Sequence, residues 1–541
     1  MGGPAEKETP RGSAEPVCFQ PALQDAAFWT MQTASRMESL FFAALIRGAA
    51  ALAFRRTGFP SRTPGSIDPF LEAAPTIPSF RERSMSATAA PPLRNRVYEV
   101  LTGDDVDRVC LDIPEESCRE QPRNFLLHVS ALLSSKTADG LLDPKIVLAW
   151  LVGAVGAPAF MLGWLVPIRE AGALLPQLVI AAAIRSMPIR KWVWAIGAAV
   201  QGACMIGIAA AALLLDGAAA GWAILALLIV LSLARSAGSI AHKDVLGKTI
   251  RRATRGTVAG SAGTLSAVLV LGFGVLLGTG IVERSIATIS AALVVGGVLW
   301  IAAALLFASL AESPGATEGG GNALAVALRQ FGLLREDPQL VRFIVVRCLL
   351  MATALAPPFV VALGERKSAD AGAGTLGPFV VAAALATISS SYVWGRLSDV
   401  SSRRVLVVAA GMGAACLVLA AAIGAGLGDA FGVGAGSMFA LPALVFVATI
   451  ADQGVKLGRT THVVDMAGTV DRGAYTALTN TIGGIVMLGA GVFGFVDQRF
   501  GAVTVLVLLA LMCVVAMRLA AGLDEVQRVQ PVGAAMPQRK P

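Results

Sequence analysis

Charge is scarce in this chain. Only 15% of its 541 residues are Asp, Glu, Lys or Arg, against about 25% in a soluble domain, which excludes an ordinary water-facing surface. Histidine is scarcer, with three residues far apart in the sequence. That counts against a catalytic cluster of the kind a membrane-embedded enzyme acting on lipid-linked substrates would need. The seven cysteines are scattered. Cys204, Cys348, Cys416 and Cys513 lie inside apolar runs, and Cys110 and Cys118 are too far apart for a Cys-x-x-Cys pair. No disulfide framework, metal site or cofactor is expected. A nucleotide site fails as well. Leu246-Gly-Lys-Thr249 ends like a P-loop, but the glycine required five residues before Gly247 is His242. The net charge of +8 needs no nucleic-acid partner, because Lys and Arg collect in loops between apolar runs.

Those runs dominate the chain from Asn124 to Gly522. A stretch such as Ile224-Leu-Ala-Leu-Leu-Ile-Val-Leu-Ser-Leu-Ala234 suits lipid, where every backbone polar group must be satisfied within the segment, so such runs must be helical. Segments long enough to cross a hydrocarbon core of ~30 Å number about twelve. They fall near 124–152, 158–186, 191–215, 218–241, 256–280 and 285–310, then 341–363, 374–396, 404–427, 434–456, 473–495 and 501–521. The expected fold is an all-α integral membrane protein with twelve transmembrane helices in two six-helix bundles. Its partners are the bilayer and a small-molecule substrate, and the chain is expected to be a monomer.

The expected organisation is an N-terminal extension over 1–122, a first bundle over 123–311, a linker over 312–340, a second bundle over 341–522 and a tail over 523–541. Residues 1–84 lack a sustained period. Two readings stay open for them: a disordered extension, or codons ahead of a true start at Met85. Leu93–Leu101 reads as an amphipathic helix. Lys and Arg crowd the loops after spans two, four, eight and ten, so the positive-inside rule places both termini in the cytoplasm. Without a signal peptide, insertion is expected to be co-translational, into a bacterial inner membrane.

The halves echo each other. Leu246-Gly-Lys-Thr249 followed by Arg255-Gly-Thr257 in the first matches Leu457-Gly-Arg-Thr460 followed by Arg472-Gly-Ala474 in the second. Such a parallel duplication is typical of transporters that rock around a central site.

Gly395-Arg-Leu-Ser-Asp-Val-Ser-Ser-Arg-Arg404 resembles the loop signature of the major facilitator superfamily, and it stands where that family carries its second copy. The resemblance covers about 400 residues from Asn124 on, together with the six-plus-six layout. It implies a secondary transporter, and a cytoplasmic gate formed by Gly395, Asp399, Arg403 and Arg404. In the family the acidic residue meets a neighbouring helix start and the loop arginines, contacts that favour a carboxylate. The first-half copy departs from the signature. Ala183 replaces the first glycine, Met187 stands near the acid's place, and Arg190-Lys191 survive, so a lopsided latch is expected. Span five lacks the Gly-Pro of the family's proton antiporters, which weighs against a proton-driven multidrug exporter.

Ionisable groups at membrane depth are costly and usually face a cavity or each other. Lys136 and Asp139 are one helical turn apart and can pair. Arg169 and Glu170 lie between Pro167 and Pro176, where Arg169 reads either as a cavity cation for an anionic or zwitterionic solute or as half of an inter-helix salt bridge. Arg347, ahead of a kink at Pro357-Pro358, could face Asp139. These five form the expected substrate and proton pathway. Arg235, Asp452, Gln453 and Asn480 complete the polar set, with Asp244 and Asp452 read as loop-pairing groups and His128 as isolated. The functional reading is an alternating-access secondary transporter, not an enzyme, coupled to protons through buried carboxylates. A transporter-like scaffold or receptor that moves nothing is the remaining alternative.

Overall fold

The computed structural model describes residues 93–103, 113, 115–176, 180, 184, 186–315, 317, 331–369, 376–427, 439–467 and 472–526. The expectations for residues 1–84 and for most of the tail lie outside these. Among the described residues no strand occurs. The first set of helices is α1 (Leu93–Thr102), α2 (Glu115–Arg119), α3 (Gln121–Leu142), α4 (Val147–Ala154), α5 (Leu162–Leu174, entered through a 3-10 turn at Ala159–Met161), α6 (Lys191–Leu214), α7 (Gly217–Thr249), α8 (Arg252–Gly278) and α9 (Ile286–Ala308). The second set is α10 (Leu333–Glu336), α11 (Pro338–Leu349), α12 (Ala352–Ala369), α13 (Leu376–Val400), α14 (Ser402–Gly424), α15 (Ala440–Met466), α16 (Arg472–Gly489), α17 (Val492–Phe500) and α18 (Ala502–Ala521).

Among the described residues, nine helical stretches of 20 to 33 residues are long and apolar enough to cross a bilayer. The protein is an integral membrane protein. Leu214, Ile229, Val295, Leu305 and Val418 stand exposed on the outer faces, an arrangement that lipid tolerates and water penalises.

Local sequence explains the helix ends. Ser285 accepts a hydrogen bond from Thr288 N at the start of α9. Asp337 accepts from the backbone N–H groups of Gln339 and Leu340 ahead of Pro338 in α11, and Ser401 accepts from Arg404 N to open α14. Each satisfies donors that a helix start leaves free. Three expected spans are broken in two. Span one is interrupted at Asp143–Ile146 between α3 and α4, span seven at Leu350–Met351, and span eleven at Ala490–Gly491. Pro357-Pro358, where a kink is expected, sit inside α12, and the break in span seven comes before them. Pro167 is likewise inside α5, which ends at Leu174, before Pro176.

In the first set, α6 packs against α7 and α9, α3 against α8 and α9, and α5 against α7. In the second, α14 packs against α15 and α18, α13 against α15, and α12 against α18. The sets meet through α8 on α13, α5 on α16, and α17 on the 3-10 turn before α5. Two of these meetings need glycine. A Cβ on Gly494 would run into the Phe160 carbonyl and one on Gly163 into the Gly494 backbone, while one on Gly377 would strike the backbone at Gly278. Small residues let membrane helices approach at backbone distance.

The amphipathic helix expected over Leu93–Leu101 is α1. Its Tyr98 is buried edge-on against Phe125 at 5.3 Å between centroids, and its hydroxyl accepts from Gln121 Nε2 at 2.9 Å. One cysteine expectation is corrected. Cys118 is disulfide-bonded. Spacing rules tuned to metal sites and redox pairs give no sign of it. Cys204, Cys348, Cys416 and Cys513 are free thiols.

Candidate functional site: a charged cavity within the helices

A cavity of about 340 Å³ opens where α3 breaks into α4, and it is walled by α5, α7, α12, α13 and α15. The break explains why charges can be here at all. Asp143-Pro144-Lys145 turns the chain at mid-span, Asp143 Oδ1 accepts the Lys145 N–H at 2.8 Å, and the Leu148 N–H returns to the Asp143 carbonyl at 3.1 Å. Non-helical backbone at membrane depth is stable when it lines a cavity rather than lipid.

Two ionic clusters meet in this space. Asp139 on α3 accepts from Arg169 Nη2 of α5 at 2.8 Å and also holds Arg235 of α7 in close contact. Asp452 on α15 accepts from Lys145 Nζ at 2.6 Å and from Lys456 Nζ, one turn along its own helix, at 3.1 Å. The Thr353 hydroxyl lies 3.3 Å from the other Asp452 oxygen. The Lys145–Asp452 pair joins the first set of helices to the second. Removing one member of a buried pair strands the other charge, at a cost of about 3–5 kcal/mol. Glu170 also lines the cavity, in the field of Lys456 and Lys145.

Of the five expected pathway residues, Asp139, Arg169 and Glu170 are in this cavity. Lys136 is not Asp139's partner. Two guanidinium groups from neighbouring helices reach that carboxylate instead, and Lys136 is exposed, on the side of Gly263. Arg347 is buried away from the cavity and donates to Asn480 Oδ1 at 2.7 Å. Asp452, read as a loop-pairing group, is a cavity residue, whereas Asp244 does pair at a helix end, with Arg190 and Lys248. Lys145, Asp143 and Lys456 were missed. The signals available were a proline flanked by two charges in mid-span, and an Asp–Lys pair four residues apart on one helical face. His128 is not isolated either. Its ring meets that of His242 edge-on at 5.8 Å, and its Nε2 lies 2.9 Å from the Thr249 hydroxyl. Helices α3 and α7 bring together what sequence distance separates.

The expected gate is legible in part. Gly395 and Asp399 belong to α13, but their surroundings fall outside the described residues. Arg403 pairs with Glu525 at 3.2 Å and donates to the Leu523 carbonyl, while the Arg404 side chain is exposed. The first half has its own acid after all. The Glu312 carboxylate accepts from the backbone N–H groups of Arg190 and Lys191 at the start of α6 and from Lys248 Nζ at 3.0 Å. An acid beyond the last long helix of each set therefore holds the start of that set's third span, with Glu312 corresponding to Glu525. The departure within the loop itself, with Met187 near the place that Asp399 takes in the second half, stands beside this shared contact.

At the end with these basic loops, the ion pairs among the described residues stay within one set. At the opposite end the sets touch, through Gly163 and Gly494, Gly278 and Gly377, and Arg284 with Glu365 at 3.4 Å.

No family model matches the chain, and no curated relative matches it. Solved structures do. The nucleoside transporter NupG has a TM-score of 0.56 at 14% identity, over 74% of this chain and 99% of its own. A D-xylose-proton symporter has 0.56 at 12%, over 74% and 98%. A POT family transporter in complex with 5-aminolevulinic acid has 0.56 at 9%, over 74% and 96%. The chain has the fold of the major facilitator superfamily transporters. The proteins it resembles are transporters rather than enzymes.

Proposed function

We propose that this protein is a secondary transporter that carries a small solute across the membrane by alternating access. The observation that carries the reading is the cavity, which is walled by charged side chains from both sets of helices and bridged by Lys145 and Asp452. A structural ion pair needs no such space around it, whereas a solute that must be released to either side does. Counting each broken pair of helices as one crossing gives twelve spans, six to a bundle, with the bundles over 123–311 and 341–522. The positive-inside rule makes the basic end cytoplasmic, and a bacterial inner membrane is the compartment we assign. The bundles touch at the far end, so the state described is open toward the cytoplasm. Transport would then require the Arg190–Glu312 and Arg403–Glu525 ends to approach one another while the glycine contacts part. One chain supplies the whole cavity, which fits a monomer.

The test is counterflow in proteoliposomes holding the purified protein, with a radiolabelled panel of nucleosides, pentoses, amino acids and dipeptides, repeated under an imposed pH gradient. Saturable uptake of one class, lost in Lys145→Ala, supports the reading. Stimulation by the gradient that is lost in Asp139→Asn or Glu170→Gln would assign proton coupling to these cavity carboxylates. No uptake of any class by well-folded protein would favour the scaffold alternative.

A further inference from the structure

We propose that the cavity takes a small zwitterion, a solute carrying a cationic amine and a carboxylate on one compact skeleton. The inference rests on the transporter reading and narrows it. The walls hold both signs in equal number, with Asp139, Asp143, Glu170 and Asp452 against Lys145, Arg169, Arg235 and Lys456. Much of that charge is satisfied within the walls. Asp139 holds two guanidinium groups and Asp452 two ammonium groups, while Asp143 accepts a backbone N–H.

What is left over has a specific character. The Glu170 carboxylate makes no hydrogen bond and no ion pair among the described residues, although it lines the cavity beside Lys456 and Lys145. Arg235 and Lys456 are the most open of the paired cations, with side chains 37% and 36% exposed, and each contacts a single carboxylate. A guanidinium carries five N–H donors and an ammonium three, so most of their donors are free to meet a solute. The open groups thus call for one anionic end, at Arg235 and Lys456, and one cationic end, at Glu170. Charge-assisted bonds of this kind are the strong ones in a low-dielectric site.

Other solute classes fit less well. A simple anion would answer the two cations but bring a like charge to Glu170, and walls of zero net formal charge give it no surplus attraction against its desolvation. A neutral polyol would use Thr387, Thr449 and Gln453 but has no use for eight ionisable groups, which are costly to keep at membrane depth. Size narrows the class further. A volume of about 340 Å³ lies toward the small end of ligand pockets. That suits an amino acid or dipeptide rather than a bulky amphiphile.

The experiment is thermal unfolding of the purified full chain in detergent with free amino acids and Ala-X dipeptides, using uridine and xylose as uncharged comparators. The best zwitterion is then compared with its N-acetyl derivative, which lacks the amine charge, and its methyl ester, which lacks the carboxylate. Ligand binding to the folded state raises its melting temperature. The expected result is protection by a free zwitterion, weakened at least about tenfold by either modification. In Glu170→Gln the penalty for N-acetylation should vanish while that for the ester remains. In Arg235→Gln, or in Lys456→Gln should the first unfold, the ester penalty should vanish instead. Equal binding of the modified forms, binding of uridine or xylose alone, or no shift with any compound would overturn the proposal. Counterflow separates the two readings. Transport of uridine or xylose without zwitterion binding would sink the zwitterion and keep the transporter. Zwitterion binding without transport of that compound in sealed vesicles would sink the transporter and keep the site.

Discussion

Among single residues, Asp139 and Lys136 separate a charge held by two guanidinium groups from one that makes no ion pair among the described residues. They looked like partners because they lie one turn apart, yet the carboxylate is held by Arg169 and Arg235 while the ammonium is exposed. Asp139→Ala therefore leaves two guanidinium groups without a counter-charge and should destabilise the protein by about 3–5 kcal/mol. Lys136→Gln should stay within about 0.5 kcal/mol. Thermal unfolding of the two variants side by side checks this, and equal losses would restore the sequence pairing. Arg347 gives a second case. Among the described residues its hydrogen-bond partner is the Asn480 side chain, so a double-mutant cycle between the two should show coupling of about 0.5–3 kcal/mol, and a cycle between Arg347 and Asp139 should show none. Sequence could flag every one of these residues, because an ionisable group in an apolar run is conspicuous whatever surrounds it. It could not say which would meet. Pairing between helices depends on which faces turn toward each other, and a lone sequence carries that information only for neighbours on the same helix, as with Asp452 and Lys456.

Helix existence was legible from long apolar runs and basic loops, and the described helices fall where those runs do. The interruptions were less so. Asp143-Pro144-Lys145 was read through as part of one span, because a transfer-type average over twenty residues hides a four-residue break. Pro357-Pro358 drew attention to a place inside α12, while the break in span seven lies ahead of it, at Leu350–Met351, and tertiary packing can hold a proline within a membrane helix. The glycine meetings follow from the same close packing and carry a prediction. Gly494→Leu places a side chain into the Phe160 carbonyl and should hold the two sets apart at that end. Spin labels at Asp216 and Phe439, both exposed at the acid-loop end, should then sit at a longer distance than in the unsubstituted protein. An unchanged distance, with the protein still folded, would mean that this contact does not control closure.

For the whole molecule, the six-plus-six layout came from counting runs and from one loop signature, and the solved transporters share the fold at 9–14% identity. The duplication extends further than the loops alone suggested, since Glu312 and Glu525 hold corresponding helix starts. These acids lie beyond the last long apolar helix of each set, where a reading focused on the spans passes over them. If they hold each set of helices rigid at the basic end, Glu312→Gln should loosen α6 against α7 and raise amide exchange at Arg190 and Lys191 while leaving Arg403 unaffected. Exchange that rises equally in both halves would argue against bundles that move as units. The central claim is that these two units rock about the cavity, and it is tested most directly by paired distances at the two ends. Spin labels at Lys243 and Thr460, exposed at the basic end, are measured alongside labels at Asp216 and Phe439, with and without a transported solute. The account predicts reciprocal change, the basic-end distance shortening as the acid-loop distance lengthens. Distances that stay fixed at both ends, or that change in the same direction, would contradict it.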